Sequence, residues 1–413
     1  MADPTGRWPT PGCFDDVRVL EIGDEKSEFC GLLLAGEGAD VIKIEPPEGG
    51  ASRSIGPFYE DREEPNGSLF FWTYNRAKRG VTLDLTKQAG RVIYRDLVAS
   101  ADVVIDGRGA GVMDGLGLGY DGVRQVNPGL VYCSITPFGL TGPWRDFKGS
   151  DLVHLALGGS TYCCGYDAVS PGKWDTAPMT PQAWHAYCVG GEHAAMAVAA
   201  TLLYRQATGD GQLIDVSIHD ACAQCTEGTV PRYIYNRTEQ PRRSPNLVKC
   251  ADGDYLNLMF LPPADVGKVA SLLAQCDMAE DLADPKYRGT SFAARIQLMP
   301  RVTEVVGRWA ATRPVMEVFQ ALQSCGVACA PVRPPEELIS DPHCIERQDF
   351  VEVEHPELGK TFVYPRAPRH QTETPWRWGP RAPMVGEHNG EVYGTILGMS
   401  EEQLASYRSQ GVL

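Results

Sequence analysis

Short apolar runs alternate with stretches of helical periodicity over the first half of the chain. Residues 17–22 (VRVLEI) and 40–44 (DVIKI) each have the length and composition of a buried strand. Between them, residues 27–35 have the spacing of a helix that ends at Gly36 and Gly38. This order predicts a β-α-β unit with a right-handed crossover.

The same alternation continues along the chain. Further strands are predicted at residues 80–85, 103–105, 130–135 and 213–218, and further helices at 88–99 and 190–206. Strands that alternate with helices form parallel sheets covered on both faces, so the pattern predicts an α/β fold with a Rossmann-like large domain.

A second, smaller α/β module is predicted after the large domain. It begins with a hairpin near residue 247 and continues through three helices to a Pro-rich stretch that ends at residue 335. The predicted division is a large domain at 1–225, a small α/β domain at 226–340, and a C-terminal segment at 341–413 that returns to the large domain. That segment ends in a helix whose start, Ser400-x-x-Gln403, has the pattern of a capping box.

Charge and composition narrow the classes of function. The 413 residues include 38 Lys and Arg against 53 Asp and Glu, which gives a formal net charge of -15. Nucleic acids and anionic membranes are bound through an excess of Lys and Arg, so neither is an expected partner. The N-terminus has no apolar signal core, and no apolar run approaches the roughly 20 residues of a spanning helix. A cytoplasmic protein is therefore expected.

The 13 cysteines and the glycine-rich stretches have ordinary explanations. His219-x-x-Cys222-x-x-Cys225 has a spacing that can gather three zinc ligands, but no second ligand cluster follows it. In a reducing compartment buried thiols are the simpler interpretation. The glycines at residues 107–111 and 115–119 do not have dinucleotide-binding spacing. We therefore expect neither a metal nor a tightly bound cofactor.

Short motifs are spread over the whole length of the chain. They are residues 38–47 (GADVIKIEPP), 75–79 (NRAKR), 83–85 (LDL), 116–120 (LGLGY), 127–134 (NPGLVYCS), 138–143 (FGLTGP), 208–212 (TGDGQ), 354–359 (EHPELG) and 386–388 (GEH). Each motif alone is weakly specific, but their number and order resemble those of family III CoA-transferases of the CaiB/BaiF type.

The resemblance implies a Rossmann-like domain, a smaller domain and a dimer whose two chains interlock. It also implies a reaction in which one Asp attacks the acyl-CoA carbonyl and forms a mixed anhydride. Counting back from Gln212 places that Asp at Tyr187. A phenol of ordinary pKa near 10 is a poor anhydride former. Glu192, near the start of the same helix, is a candidate substitute, and Asp151 is a second carboxylate more simply explained as an N-cap.

The resemblance also implies where CoA thioesters would contact the chain as substrates. The family's Glu-Asn-Phe stretch and a basic position after it are here Asp106-Gly107-Arg108 and Gly115, so several contacts are absent. Four residues remain as candidate CoA contacts: Lys26, Leu83, Lys87 and Arg108. Surface helix charge and core packing are equally ordinary explanations for them.

The missing Asp leads to one leading hypothesis and two alternatives. Some family members combine two homologous subunits of which one lacks the Asp, and residues 21–26 (EIGDEK) resemble the Asp-lacking subunit of benzylsuccinate CoA-transferases. We expect such a non-catalytic subunit, active with a homologous Asp-containing partner. The aromatic residues at 162–174 suit a bulky or aromatic acid. The alternatives are a self-sufficient enzyme that uses Glu192 and an acyl-CoA-binding protein without turnover.

Overall fold

The computed structural model describes residues 11–166, 168–170, 173, 175–182, 184–226, 228–238, 246–259, 266–287 and 292–413. The chain divides into two compact units. One unit contains residues 1–162, 180–240 and 342–413, and the other contains residues 163–179 and 241–341. Trp174, part of the predicted aromatic stretch, lies outside the described residues.

A six-stranded parallel sheet is the centre of the first unit. Its strand order is β3-β2-β1-β4-β5-β6, so the direction of strand addition reverses between β1 and β4. Leu20 of the central strand pairs with Ile42 on one side and Val104 on the other. The strands are β1 (Arg18–Ile22), β2 (Asp40–Glu45), β3 (Arg79–Thr82), β4 (Val103–Asp106), β5 (Val131–Thr136) and β6 (Gln212–Ser217).

The helices include those that the sequence predicted and several that it did not. They are α1 (Glu28–Gly36), α2 (Leu69–Asn75), α3 (Gln88–Ala99), α4 (Val112–Gly115), α5 (Tyr120–Val123), α6 (Asp151–Leu157), α7 (Ser160–Cys163), α8 (His185–Thr208), α9 (Ile218–Gln224), α10 (Thr229–Asn236), α11 (Val266–Ala274), α12 (Phe292–Ala310), α13 (Val315–Ser324), α14 (Pro342–Glu346), α15 (Asn389–Leu397) and α16 (Glu401–Ser409).

Strands β1 to β5 are buried on both faces, which explains the apolar runs in the sequence, whereas the edge strand β6 is largely exposed. Alternate side chains of β1 point to opposite faces, with Leu20 in one cluster and Val19 in the other. Tyr94 of α3 belongs to the first cluster, and Val198 of α8 belongs to the second. The predicted α/β class with a Rossmann-like sheet is confirmed.

Among the described residues, one helix is by length and composition long and apolar enough to span a membrane, and this is α8. It extends beyond the helix that the sequence predicted at 190–206. Ala194 and Val198 are buried in one cluster with Val131 and Ile135 of β5. Helix α8 is therefore packed as a core helix of the first unit.

The second unit has its own core. Three antiparallel strands form its sheet in the order β7-β8-β9, namely Leu247–Lys249, Tyr255–Met259 and Ala328–Pro331. Helices α11, α12 and α13 contribute buried apolar residues such as Val269, Val305 and Val318 to the same cluster.

The C-terminal segment within the first unit forms a hairpin and two helices. Strands β10 (Phe350–His355) and β11 (Lys360–Pro365) pair antiparallel. Val392 of α15 and Leu404 of α16 are buried in the cluster that also contains Tyr94. The predicted capping box at Ser400 and Gln403 is present, with both reciprocal hydrogen bonds.

Candidate functional site

A cleft of about 650 Å³ opens where β1, β2 and β4 end, beside the point at which the strand order reverses. Ligands of doubly wound sheets bind at this position because the loops after neighbouring strands diverge there. The residues that line it are Ile22, Gly23, Asp24, Ile44, Glu45, Pro46, Pro47, Glu48, Gly50, Ala51, Leu83, Asp84, Leu85, Thr86, Arg108, Leu116 and Gly411.

The structure brings two of the four candidate CoA contacts into this cleft. Leu83 and Arg108 line it. Lys26 lies beside it and forms an ion pair with the lining residue Asp24. Lys87 donates hydrogen bonds to the carbonyl oxygens of Gln410 (2.6 Å) and Gly411 (2.8 Å), so its ammonium is held at the C-terminal end of the chain.

Carboxylates outnumber basic groups in the cleft lining. Asp24, Glu45, Glu48 and Asp84 line it, and Arg108 is the one Lys or Arg that does so within this fully described set of residues. The carboxylate of Asp84 accepts hydrogen bonds from the hydroxyl and backbone N–H of Thr86, which lower the pKa of Asp84.

Four charged side chains form a buried network in the first unit. Lys43 of β2 contacts Glu21 at 3.1 Å and Glu28 at 2.8 Å, and Lys78 contacts Glu21 at 2.7 Å. All four side chains are fully buried. Because each charge has an opposite partner, the network connects β1, β2, α1 and the start of β3 without an uncompensated charge. Gly31 is required here, since an added Cβ would lie 1.6 Å from Glu21 Oε2.

Tyr187, at the position where the resemblance implies the nucleophile, lies in the first turn of α8. Its side chain is 4% exposed and stacks on Trp184 with ring centroids 5.6 Å apart. Phe70 lies 4.8 Å from Trp184 and 4.7 Å from Tyr74, which extends the aromatic cluster. Burial, and then the nearby charge of Glu25 and Asp24, raise the pKa of Tyr187 far above its ordinary value. The group is therefore a neutral phenol at physiological pH.

Asp151 contacts the start of α8 from a different element. Its Oδ1 accepts the backbone N–H of Ala186 at 2.8 Å and that of Tyr187 at 3.2 Å. Trp184, the N-cap residue of α8, provides no side-chain acceptor. Asp151 was expected to cap its own helix, but Ser150 does so by accepting the N–H of Val153 at 3.4 Å. Asp151 instead caps α8 through a long-range contact, because the first turn of that helix lacks a local acceptor.

Glu192, the candidate substitute for the missing Asp, does not share a face with Tyr187. The five residues from one to the other rotate by about 140° around a helix axis of 3.6 residues per turn. Glu192 is exposed, whereas Tyr187 is buried. Cys188, between them, lies with its Sγ 3.8 Å from the Tyr74 hydroxyl.

His154 of α6 is a buried polar residue that the sequence did not single out. Its side chain is fully buried, and neither ring nitrogen has a hydrogen-bond partner. Its ring lies 5.2 Å from Phe138 and 6.2 Å from Tyr187. Burial, together with the nearby His219 and Lys26, lowers the pKa of His154 to about 4. A neutral imidazole therefore lies directly beside the aromatic cluster.

The remaining candidates are not brought into this site. No group of three His, Cys, Asp or Glu residues that could hold a metal occurs in the described part of the chain, and this includes His219, Cys222 and Cys225. In the predicted aromatic stretch, Tyr162 and Tyr166 are half exposed at 50% and 55%.

The fold is that of an α/β protein with a cleft at the switch point of a doubly wound sheet, where ligands of such folds bind. Residues 14–389 match the pattern described as CoA-transferase family III. The chain therefore belongs to CoA-transferase family III, whose members use CoA thioesters as substrates. The family resemblance seen in the sequence is confirmed.

Two relatives and one solved structure show how far the similarity extends. A succinyl-CoA–D-citramalate CoA-transferase of Chloroflexus aurantiacus is 30% identical over 98% of this chain and 99% of its own. The succinyl-CoA:(R)-benzylsuccinate CoA-transferase subunit BbsE of Thauera aromatica is 31% identical over 92% of this chain and 93% of its own. A CaiB/BaiF family protein from Brucella suis superposes with a TM-score of 0.80 at 25% identity, covering 94% of this chain and all of its own.

Proposed function

We propose that this chain is the non-catalytic subunit of a heteromeric CoA-transferase that moves CoA from an acyl-CoA, such as succinyl-CoA, to a carboxylic acid. A homologous subunit supplies the nucleophilic Asp. Two relatives whose names include succinyl-CoA support the donor, and the relative named as a subunit supports a heteromeric assembly. The acid accepted is bulky or aromatic, such as benzylsuccinate, and the assembly works in the reducing cytoplasm.

The state of Tyr187 carries this proposal. In the family reaction a carboxylate oxygen bonds to the thioester carbonyl carbon, the carbon–sulfur bond breaks, and CoA leaves as the thiolate. The nucleophile must be ionised, because only then is it both reactive and a competent leaving group. Tyr187 is buried among aromatic rings as a neutral phenol. The carboxylate of Asp151, which contacts the same helix turn, is already hydrogen-bonded to the start of α8.

Exposed apolar residues support a partner chain. Leu203 and Tyr204 on α8 are 69% and 51% exposed, and Tyr235 on α10 is 85% exposed. Helix α10 has no buried residue, although its side chains include Val230 and Ile234. Large apolar surfaces of this kind are covered in assemblies. The homologous subunit covers them in an interlocked dimer.

The test compares the chain alone with the chain co-expressed with an Asp-containing homologue encoded beside it. We expect no CoA exchange between succinyl-CoA and benzylsuccinate from the chain alone, and turnover from the pair. Replacing the partner's Asp by Ala should abolish turnover. Tyr187→Phe on this chain should retain it within a few-fold, since the hydroxyl does not attack.

Turnover by the purified chain alone would refute the proposal. In that event Glu192→Gln separates the alternatives: loss of turnover, together with hydroxylamine-sensitive acylation of Glu192, identifies a self-sufficient enzyme. Acyl-CoA binding without turnover, even with the homologue present, identifies a binding protein instead.

A further inference from the structure

CoA brings a large negative charge to any site that holds it. Its diphosphate and its 3′-phosphate together carry about four negative charges at neutral pH. In doubly wound folds, ligand phosphates lie at the start of the helix after the first strand, where free N–H groups and the helix dipole favour anions. In this chain that helix is α1, which begins at Glu28.

The start of α1 is already occupied by acidic side chains. Glu28 is in its first turn, fully buried, with its carboxylate 2.8 Å from Lys43 and 2.5 Å from the Ser52 hydroxyl. Asp24 and Glu25 precede it in the loop after β1. Carboxylates of the chain, of which Glu28 and Asp24 are paired with Lys43 and Lys26, therefore already occupy the positive end of the helix, and the dipole is not left free to attract a phosphate.

Three basic groups near the cleft are paired with its carboxylates, whereas Arg108, the one basic residue of the lining, has an exposed side chain and is not part of these pairs. Arg53 binds Glu45 through two hydrogen bonds of 2.8 and 2.7 Å. Lys26 pairs with Asp24, and Lys87 Nζ lies 3.6 Å from Asp84. Recruiting these three groups to phosphates would break the pairs and leave carboxylates uncompensated, so Arg108 alone remains to meet the roughly four negative charges of CoA.

Backbone donors at the mouth of the cleft are used internally as well. The N–H of Gly50 donates to Glu45 Oε1 at 2.8 Å, and that of Thr86 donates to Asp84 Oδ1 at 2.9 Å. The N–H of Arg108 donates to Asp106 at 2.9 Å. Pro46 and Pro47 have no N–H. These segments therefore do not form the cradle of free amides that holds a diphosphate.

We propose that the switch-point cleft of this chain excludes the phosphates of CoA, so that the heteromeric enzyme binds one CoA thioester per pair of unlike subunits, on the Asp-containing subunit. This inference rests on the proposed function. It assigns the acyl-CoA to the partner and leaves this chain with a structural part in the assembly.

The test measures binding stoichiometry by isothermal titration calorimetry with CoA as the titrant. The chain alone should bind CoA at least about 100-fold more weakly than the co-purified pair does, and the pair should titrate at one CoA per two chains. Dephospho-CoA and pantetheine serve as probes with fewer charges. If the cleft excludes phosphates, these less charged probes should bind to the chain alone more tightly than CoA does. If the cleft contains a phosphate site, they should bind more weakly than CoA.

A charge reversal in the cleft sharpens the test. Glu48 is an exposed lining residue, and Glu48→Lys should strengthen CoA binding to the chain alone by about tenfold. Glu352→Lys, on the exposed side of β10, changes the net charge equally and is the matched control. It should leave CoA binding unchanged.

Tight CoA binding by the chain alone, or two CoA molecules per unlike pair, would overturn this inference. An equal gain from both charge reversals would do so too, because the effect would then be one of net charge. Failure here is distinguishable from failure of the proposed function. The latter is decided by turnover of the chain alone, which is measured separately from binding.

Discussion

Acidification should destabilise the first unit through His154. The buried imidazole has no hydrogen-bond partner on either nitrogen, and its pKa is lowered to about 4 from an ordinary 6.5. Between these two pH values the unfolded chain binds a proton that the folded chain does not. The free energy of unfolding therefore falls as the pH falls from 6.5 to 4, and the loss is complete below pH 4.

The two pKa values set the size of this effect. A tenfold change in proton affinity corresponds to about 1.4 kcal/mol, so the full loss is about 3 kcal/mol. Between pH 7 and pH 5 the same two values give a loss of about 2 kcal/mol from this one residue. Replacing His154 by Phe removes the titrating group and both unpartnered nitrogens while keeping a planar ring beside Phe138.

The assay is urea unfolding of wild type and His154→Phe at pH 7, 6 and 5, with hydrogen exchange of the α6 peptide as a local measure. The free energy of unfolding of His154→Phe minus that of wild type should increase by about 2 kcal/mol from pH 7 to pH 5. The exposed His370, replaced by Phe, is the control and should show no such growth. A constant difference between wild type and His154→Phe across this range would refute the reasoning.

Three further predictions concern Gly31, Asp106 and Asp151. Gly31→Ala should cost about 3 kcal/mol or more in thermal or urea unfolding, because its Cβ would collide with Glu21; Gly390→Ala, which meets no atom within 4 Å, is the control. Burial raises the pKa of Asp106 from 3.8 to about 6, so the stability that its protonated form contributes is present below pH 3.8 and is lost as the pH rises through 6. Asp106→Asn should abolish this pH dependence of the free energy of unfolding, which is measured by unfolding at pH 5 and pH 7. Asp151→Ala should destabilise α8 by about 1–2 kcal/mol, Asp151→Asn by less, and equal losses would argue against the capping role.

The parallel sheet could be predicted because strands that are buried on both faces consist mostly of apolar residues, which is visible in the local sequence. The strands at residues 103–106 and 131–136 are fully buried, so their sequences are mostly apolar. The start of α8 could not be predicted in the same way. The helix begins five residues before the predicted position, after Trp184 in a left-handed conformation, and its capping carboxylate lies on Asp151, more than 30 residues earlier.

The candidate site shows the same contrast between residues that the sequence indicates and residues whose properties depend on tertiary packing. Leu83 and Arg108 were expected from the resemblance to contact CoA, and both line the cleft. The properties of His154 depend on packing against Phe138, which no local pattern reveals. The pairing of Lys26 with Asp24 is an exception, because two oppositely charged residues so close in sequence could have indicated a committed lysine.

The surroundings of Tyr187 at the start of α8 would disfavour an ionised carboxylate at this position. A helix N-terminus stabilises an ionised acid through free N–H groups and the dipole. In this chain Asp151 accepts the N–H groups of Ala186 and Tyr187, so that stabilisation is already taken. Asp24 and Glu25 add negative charge near the Tyr187 side chain. A carboxylate introduced at this position would be partly desolvated and close to three acids, and both effects would raise its pKa. The ionised form, which attacks a thioester, would then be disfavoured. Because Asp24, Glu25 and Asp151 lie near position 187, a neutral side chain such as that of Tyr187 is more stable there than a charged carboxylate.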